Sequence, residues 1–393
     1  MLDLDAFRSR YSAFLRPDRI LLTGHSHQAW PDVAREAQAR YFDDSAAWVD
    51  DKWSQAIFPK IDRVSRNILR RMGFPEGDAL AFGRSTHELI FRLMSCLRWS
   101  ERPRVVTTTS EFHSLYRQLS RLAEEGVEVV WVDGWPRASL AERLLDAITP
   151  QTAMVALSGV FFEDAFLFRS IGAVLEKAAA VGALPLVDLY HSFNVAPLDL
   201  GPAAARTFVT AGGYKYAQFG EGICWLRIPT NCTLRPVYTG WFADFAALSH
   251  ERSSTAVSYG KGAERFAGAT FDASAFYRAE AVLDHFDHFD LDVEALRDIS
   301  RRQTSLLAEA LSGSAELVSP GDPEERGGFL SLRVRDAERA VQALRTHGVF
   351  VDARKDLLRL GPAPYLTDEE LLRGAELVRD ALRQLGAGSG KPG

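Results

Sequence analysis

Short apolar runs alternate with amphipathic stretches through the first half of the chain. The runs are of strand length and begin at Ala79, Arg104, Val127, Thr152 and Ala183. Between them, apolar residues recur at the three- and four-residue spacing of a helix that buries one face. Strands that alternate with helices of roughly 10–15 residues are typical of a parallel sheet covered on both faces. The pattern therefore predicts a doubly wound α/β domain.

The segments on either side of this alternation have other patterns. Residues 32–72 carry apolar positions at helical spacing and are predicted to form a helix. Residues 222–229 predict a strand that could run antiparallel, and a loop-rich stretch follows at 235–270. A stretch of that length without periodicity is usually functional. A long helix is predicted to begin at Ser274 and to continue past the acidic segment HFDHFDLDV.

The end of the chain reads as strand, helix, strand, strand and helix, which is a compact α+β unit. We therefore expect two domains. The large domain, with a doubly wound and mostly parallel sheet, is assigned to residues 45–262. The small domain combines residues 1–44 with 263–386, and residues 387–393 are expected to be a disordered tail.

The composition narrows the classes of function. Of 393 residues, 47% are hydrophobic and 25% are charged, and the formal net charge of −6 argues against nucleic acid as the main partner. Cys96, Cys224 and Cys232 form no disulfide framework or metal-binding pattern, so a reducing, cytoplasmic location is expected. The N-terminus lacks the features of a signal peptide, and no apolar run reaches the roughly 18 residues of a membrane helix.

An acid and a lysine mark the end of the alternating region. Asp188 closes an apolar run, and Lys215 follows 27 residues later within the sequence GGYKY. Open α/β sheets bind their ligands at the carboxyl ends of strands. A lysine among small residues, preceded by such an acid, suits pyridoxal 5′-phosphate (PLP), because the lysine forms a Schiff base and the acid keeps a proton on the pyridine nitrogen. A solvated lysine and a strand-capping aspartate are the alternative interpretation.

Two turns after predicted strands carry residues with two interpretations each. Ser85 can cap the helix that follows the first strand, with Glu88 completing a capping box. Alternatively, Ser85 and Thr86 bind a phosphate at the N-terminus of that helix. Phe112, in the turn after the next strand, either covers its own core or stacks on a cofactor ring.

Two pairs of histidines are candidates for ligand binding. His25 and His27 flank Ser26 in an N-terminal turn, where no third metal ligand is evident nearby. We therefore expect them at the mouth of an active site, in contact with substrate. His285 and His288 alternate with acids on the predicted long helix and are interpreted as a solvated face. No metal site is expected.

Six motifs follow one another along the chain. They are DLYHS at 188–192, GGYKY at 212–216, TGWF at 239–242, RFAGAT at 265–270, ERGGFLSLR at 325–333 and LLRLGPAPY at 357–365. In this order they resemble signatures of the kynureninases, fold-type-I PLP enzymes of the class V aminotransferase group. The first four family counterparts are Asp-Leu-Ala-His, Tyr-Lys-Tyr, Ser-Gly-Trp-Phe and a relative of Arg-Phe-x-Gly-Thr-Pro. The resemblance runs from about residue 80 to 375 and implies the PLP-transferase (aspartate aminotransferase-like) fold, with a small C-terminal α+β domain.

The resemblance implies a catalytic role for four residues. Lys215 would carry the cofactor and move the substrate's α-proton, and Asp188 would pair with the pyridine nitrogen. His191 would line the same site near Asp188 or the cofactor's phenolic oxygen. Tyr214 would reach the cofactor phosphate and is also a candidate acid.

The resemblance also implies how the cofactor is held. Ser85 and Thr86 would bind its phosphate, and Phe112 would stack on its ring. Trp241 and Thr270 would come from a partner subunit and complete the phosphate site. The expected protein is therefore a homodimer with its active site at the subunit interface.

The reaction implied by the resemblance is hydrolytic cleavage of an amino acid. Arg359 would bind the substrate α-carboxylate as a bidentate fork, which lysine cannot match. A kynureninase acts through the α-carbanion: water attacks the side-chain carbonyl and the Cβ–Cγ bond breaks, giving alanine and an anthranilate. Transamination, β-elimination or a desulfurase-like reaction on another amino acid is the alternative. Cys224 and Cys232 follow Lys215 too closely to lie on the late mobile loop of a desulfurase.

The sequence departs from kynureninases in loops that face substrate and phosphate. LLTGHSHQAWP at 21–31 stands in place of Leu-Asp-Gly-Asn-Ser-Leu-Gly, and the turn EFHSL at 111–115 lacks the acid that the family places after Phe-Pro-Ser. Gly-Ala-Thr at 268–270 replaces Gly-Thr-Pro, FFEDAF at 161–166 lacks Thr/Ser-Gly, and Ala-Asp-Phe at 243–245 lacks a histidine. These changes do not affect the acid and the lysine expected to bind the cofactor. They leave open which side chain the substrate carries.

Two other classes of protein are disfavoured by the sequence. A catalytically silent PLP-fold regulator or assembly partner is disfavoured because Asp188, Lys215 and Arg359 are all present. A Rossmann-type nucleotide-binding protein is disfavoured because no Gly-x-Gly-x-x-Gly follows the first strand.

Overall fold

The computed structural model describes residues 2–249 and 256–387. The α-helices within these residues are α1 (Leu4–Arg8), α2 (Val33–Trp48), α3 (Phe58–Arg71), α4 (Thr86–Met94), α5 (His113–Glu124), α6 (Leu140–Ala147), α7 (Ile171–Ala180), α8 (Ser274–His288), α9 (Val293–Ala310), α10 (Ala337–Thr346) and α11 (Asp368–Ala387). The expected tail at 388–393 lies outside the described residues.

The strands form one large sheet and two small ones. They are β1 (Ile20–Leu21), β2 (Ala79–Gly83), β3 (Arg104–Thr108), β4 (Glu128–Val132), β5 (Thr152–Ser158), β6 (Leu184–Asp188), β7 (Phe208–Gly212), β8 (Cys224–Ile228), β9 (Glu316–Leu317), β10 (Leu330–Arg333), β11 (Val349–Phe350), β12 (Asp352–Arg354) and β13 (Leu357–Leu360).

The large sheet has the order β2-β8-β7-β6-β5-β3-β4. β8 runs antiparallel to both of its neighbours, and the other pairs are parallel. β5 is buried at every position, as expected for a central strand with helices on both faces. The predicted α/β fold with a mostly parallel sheet is confirmed, and so is the antiparallel strand after Lys215.

The C-terminal region forms a second, antiparallel sheet with the order β12-β13-β10-β9. The N-terminal segment reaches this region, because Ile20 of β1 pairs in parallel with Val349 of β11. The predicted α+β unit is present, with two differences. The strand β9 was not predicted, and the single predicted strand VFVDAR is divided into β11 and β12. The domain boundaries themselves stay a prediction.

The predicted single helix at 32–72 is wrong. The α2 helix ends at Trp48, and Val49 has a positive φ of 48°, a conformation that ends a right-handed helix. A π-helical turn at Trp53–Ile57 leads into α3, which carries a proline in its first turn. Proline is favoured at a helix start, because no backbone donor is needed there.

The predicted long helix after Ser274 is also wrong. α8 ends at His288, and Asp290 has a positive φ of 52°. The carboxylate of Asp292 accepts a hydrogen bond of 2.8 Å from the backbone N–H of Ala295 and so starts α9 as its N-cap. The helical periodicity continues through this break, so apolar spacing alone does not reveal it.

His285 is buried rather than solvated, which corrects the prediction for this residue. Its ring stacks on Phe7 at 5.1 Å and meets the edge of Tyr11 at 5.6 Å. Burial lowers the pKa of His285 to about 4, so it is a neutral core aromatic. His288 is exposed, as predicted.

Candidate active site

The predicted site residues converge because parallel strands end at one edge of the large sheet. Asp188 is the last residue of β6, and the turn that contains Lys215 follows the end of β7. Phe112 follows β3 and is the N-cap residue of α5. The carboxyl edge of the sheet thus brings together residues that are up to 103 positions apart in sequence.

Lys215 lies at the centre of this cluster. Its side chain is only 4% exposed, and its Nζ lies 2.7 Å from Nε2 of His191. The ring centroids of Phe112 and Tyr190 lie 5.2 Å and 4.8 Å from the same Nζ. Burial lowers the pKa of Lys215, and the carboxylate of Asp188 opposes that shift. The amine is therefore neutral far more readily than a lysine in solution.

His191 is equally enclosed. It is 6% exposed, and burial followed by the positive charge of Lys215 holds its pKa well below the usual value. A neutral imidazole can accept a hydrogen bond from a lysine amine, which only donates when charged. The pair is thus stable without either residue bringing a second positive charge into the site.

Asp188 has one oxygen fixed by its own turn. The backbone N–H of Tyr190 donates to Oδ1 at 2.7 Å. Burial raises the pKa of Asp188, while this N–H and the positive charge of Lys215 work in the opposite direction. A carboxyl with a raised pKa that points into an enclosed site can share a proton with a basic ligand atom.

The predicted helix cap is present at α4. Ser85 Oγ accepts a hydrogen bond of 3.3 Å from the backbone N–H of Glu88. The carboxylate of Glu88 accepts from the N–H of Arg84 at 3.0 Å, one residue before the position expected in a capping box. Thr86 is buried as the first residue of α4. The N-terminus of this helix carries the positive end of the helix dipole, as a phosphate site requires.

Tyr214 and His27 lie together at the edge of the cluster. Their rings stack with centroids 4.7 Å apart, and the ring of Tyr190 lies 5.0 Å from Tyr214. Burial raises the pKa of Tyr214 to about 12, so its hydroxyl remains a donor. His27 is exposed, with its Nε2 3.7 Å from the carboxylate of Glu221.

His25, Asp352 and Arg359 form a buried chain of contacts. Asp352 accepts from Arg359 Nε at 2.9 Å and Nη2 at 2.5 Å, and its Oδ1 also lies 2.8 Å from His25 Nε2. Burial, then the charge of Arg359, lowers the pKa of His25 to about 4, so it is a neutral donor. One edge of the Arg359 fork, expected to hold a substrate carboxylate, is therefore filled by Asp352.

Trp241 and Thr270 lie on the surface of the chain. Trp241 is 45% exposed and packs against Phe242 at 4.2 Å between ring centroids, and Thr270 is exposed. Their expected place in a partner's phosphate site stays a prediction.

Three residues of this site were missed in the sequence. Glu111 is buried and accepts from Thr108 Oγ1 at 2.8 Å and from Ser158 Oγ at 2.6 Å. Burial raises its pKa to about 7 despite these two hydroxyl donors. Tyr190 and Asp352 are the other two. The only sequence signal for Tyr190 is that it stands where the family motif has alanine. Asp352 gives no such signal, because it does not follow a strand of the large sheet.

The described residues hold neither a cluster of metal ligands nor a helix that could span a membrane. Within 2–249 and 256–387, no three or more side chains of His, Cys, Asp or Glu come together as metal ligands would. In the same part of the chain, no helix has both the length and the apolar character needed to cross a membrane.

Comparisons with known proteins find similarity to kynureninases and to an aminotransferase. Residues 296–378 match the family model of the kynureninase C-terminal domain. Kynureninase from Pseudomonas fluorescens is 26% identical over 94% of this chain and 91% of its own length. The uncharacterized aminotransferase YcbU of Bacillus subtilis (strain 168) is 24% identical over 89% of this chain and 91% of its own.

The fold is likewise that of PLP enzymes. A solved structure of a C-DES mutant, with glycine covalently linked to the PLP cofactor, superposes with a TM-score of 0.81 at 16% identity. The match covers 95% of this chain and 99% of that one. Together with the sequence matches, it supports a PLP-dependent enzyme of fold type I that is similar to kynureninases.

Proposed function

We propose that this enzyme hydrolyses the Cβ–Cγ bond of a kynurenine-type amino acid, giving alanine and an anthranilate-type product. The observation that carries the proposal is that the aromatic residues Phe112 and Phe162 lie between Lys215 and Arg359. Phe162 lies 5.5 Å from Phe112 between ring centroids, and its carbonyl oxygen accepts from Arg359 Nη1 at 2.5 Å. An amino acid with an aromatic side chain could therefore meet a cationic group at one end and aromatic rings at the other.

The residues around Lys215 fit PLP by their chemistry. Lys215 is buried, its pKa is lowered, and its Nζ contacts a neutral imidazole, so its amine is held in the form that reacts with an aldehyde. Condensation of Nζ with the aldehyde carbon of PLP, with release of water, would attach the cofactor at this residue. Asp188 would hold the pyridine nitrogen, Ser85 and Thr86 the phosphate, and Phe112 the ring. When bound, PLP would supply an electron sink for charge that develops at the substrate α-carbon.

The protein's own residues would then move the protons. Lys215, whose pKa burial lowers, can take a proton from the substrate α-carbon at near-neutral pH and return it. His191 would orient the lysine amine through their 2.7 Å contact. Tyr214, protonated because burial raises its pKa, would donate a hydrogen bond at the phosphate end of the site.

Arg359 would hold the substrate carboxylate through the N–H groups that neither Asp352 nor the carbonyl oxygen of Phe162 uses. Asp352 fixes the plane of the guanidinium by two hydrogen bonds on one edge. A guanidinium held in this way loses little conformational entropy when a carboxylate binds. His25 would support Asp352, and His27 would lie closer to the entrance, because its side chain is 65% exposed.

We further infer that the enzyme is a homodimer. Val237, Tyr238, Trp241 and Phe245 are close in sequence and each 45–73% exposed, and the rings of Trp241 and Phe245 lie 5.5 Å apart. Exposed apolar patches of this kind mark interaction surfaces. Trp241 lies in this patch, which is compatible with its expected place in the phosphate site of a partner subunit. The mass of the protein in solution tests this, since Trp241→Glu should shift a dimer toward monomer.

A second candidate function is another class V PLP reaction on a different amino acid. The observation in its favour is that the departures from kynureninase signatures fall on loops around the substrate, such as 21–31 and 161–166. Transamination or loss of a β-substituent would use the same Lys215 and Asp188.

The test is product analysis of the PLP-loaded enzyme with L-kynurenine. Anthranilate and alanine in equal amounts are expected, and Lys215→Ala, as the control, should form neither. A protein that binds PLP but produces no anthranilate, while converting another amino acid of a panel to alanine, a keto acid or a released β-substituent, would contradict the kynurenine assignment and favour the second candidate.

A further inference from the structure

Tyr190 stands inside the cofactor site without a counterpart in the family motif. The sequence reads DLYHS where the kynureninase motif reads Asp-Leu-Ala-His, so a phenol replaces a methyl group between Asp188 and His191. Its backbone N–H already holds Asp188 at 2.7 Å. Its side chain is 92% buried within the single chain, so its direction is fixed by packing.

The ring of Tyr190 lies beside the lysine that would carry the cofactor. Its centroid is 4.8 Å from Lys215 Nζ, and the centroid of Phe112 is 5.2 Å from the same atom. Lys215 Nζ is thus within contact range of both aromatic rings. The pyridine ring of PLP, attached to that nitrogen through its aldehyde carbon, would lie next to Tyr190 as well as Phe112.

The hydroxyl of Tyr190 lies toward the N-terminus of α4. It is 3.7 Å from Cys224 Sγ, which is in turn 3.9 Å from the carbonyl oxygen of Arg84. The backbone N–H of Thr86 also hydrogen-bonds to the thiol of Cys224, and this contact opposes the rise in the thiol's pKa that burial causes. The phenol therefore extends from Lys215 toward the helix terminus predicted to bind phosphate.

The residues around the Tyr190 hydroxyl leave space for it and offer it only a weak hydrogen-bond partner. A Cβ on Gly212 would come within 2.3 Å of the Tyr190 oxygen, so the absence of a side chain at Gly212 makes room for the phenol. Its hydrogen-bond partner, Cys224, is a thiol, which is a weak donor and a weak acceptor. A buried hydroxyl with so weak a partner retains its capacity to bind a strong acceptor such as a phosphate oxygen.

From these contacts we propose that Tyr190 is a cofactor-binding residue: its ring packs against bound PLP and its hydroxyl donates to the phosphate. The proposal rests on PLP binding at Lys215, as in the proposed function, and adds a contact that the family motif does not supply. It also explains why Gly212 precedes Gly213 in the lysine motif, because a larger residue at 212 would collide with the phenol.

The test compares the dissociation constant for PLP of wild type, Tyr190→Phe and Tyr190→Ala, measured by titrating apoenzyme. Tyr190→Phe should weaken binding about tenfold, as expected for losing a hydrogen bond to a charged group. Tyr190→Ala should weaken PLP binding about threefold more than Tyr190→Phe does, since the stacking contact is lost too. Tyr216→Phe removes a buried tyrosine hydroxyl that faces Gly328 instead, and it should bind PLP within about twofold of wild type.

The outcomes are distinguishable from those that concern the proposed function. Wild type that binds no PLP would overturn both. Wild type that binds PLP, with both Tyr190 variants binding it equally well, would overturn only the role of Tyr190 and leave it a packing residue. Melting temperatures of the apoenzymes show whether a variant folds. If Tyr190→Ala does not fold, the value for Tyr190→Phe decides, and an unchanged dissociation constant overturns the proposal.

Discussion

Nζ of Lys215 lies 2.7 Å from Nε2 of His191, and both side chains are buried. Burial lowers the pKa of each residue, and the positive charge of the lysine lowers that of the histidine further. Two cationic groups at this distance would repel each other in a site with little water. The contact therefore favours a neutral imidazole beside an amine that loses its proton easily, which is the state that reacts with an aldehyde.

The first prediction concerns the pH at which apoenzyme captures PLP. Burial lowers the pKa of Lys215 to about 7, so the reactive neutral amine should form as the pH rises through that value. The rate of appearance of the lysine-bound cofactor's absorbance band should increase with pH and level off above about 8. A rate that keeps rising toward the pKa of a free lysine would show that the amine is not perturbed.

His191 should act mainly on the chemical step. His191→Ala removes the only side-chain partner of Lys215 Nζ recorded among the described residues, so kcat should fall about 100-fold. His191→Gln, which keeps an acceptor in the same region, should recover part of that loss. An unchanged kcat for the alanine variant, with PLP still bound, would contradict the positioning role.

Arg359 should control substrate affinity. Arg359→Lys loses the planar fork, so KM should rise about 10- to 100-fold for an amino acid with a free carboxylate. Asp352→Asn should raise KM less, because it loosens the guanidinium without removing it. Arg98→Ala is a surface control, with its side chain 78% exposed, and should not change KM. An unchanged KM for Arg359→Lys would assign the carboxylate to another cation, such as Arg354.

Glu111 should make stability depend on pH. Its pKa is raised by burial to about 7, above its unfolded value, so the folded state favours the protonated carboxyl. The stabilising effect is complete below about pH 4 and is lost as the pH rises through 7, by up to about 3 kcal/mol. The glutamine of Glu111→Gln cannot ionise. The free energy of unfolding of this variant, relative to that of wild type, should therefore increase from pH 4 to pH 8. A difference that stays constant over this range would contradict the prediction.

Much of the fold could be predicted from local pattern. The alternation of apolar runs with amphipathic stretches predicts the parallel sheet, because each strand and helix buries its own face. The breaks at Val49 and Asp290 could not be predicted, because a positive φ at a non-glycine residue leaves the apolar periodicity intact. The burial of His285 could not be predicted either, because its acidic neighbours indicate solvent, while Phe7, 278 positions away, covers it.

Some contacts of the candidate site could likewise be predicted from the sequence, and others could not. Asp188, Lys215 and Phe112 follow strands whose carboxyl ends meet at one edge of the sheet, so their proximity could be predicted from order alone. The contact of Arg359 with Asp352 could not, because it depends on how β12 and β13 pair. Tyr190 was visible only as a departure from a motif, and its direction depends on the empty space at Gly212.

The central claim is that Lys215 is the residue that binds PLP. It is tested most directly by incubating the purified enzyme with PLP, reducing the complex with borohydride and mapping the modified residue by peptide mass spectrometry. The account predicts one modified residue, Lys215, and no stable modification in Lys215→Ala. A protein that remains unmodified, or that is modified elsewhere while Lys215 is not, would contradict it.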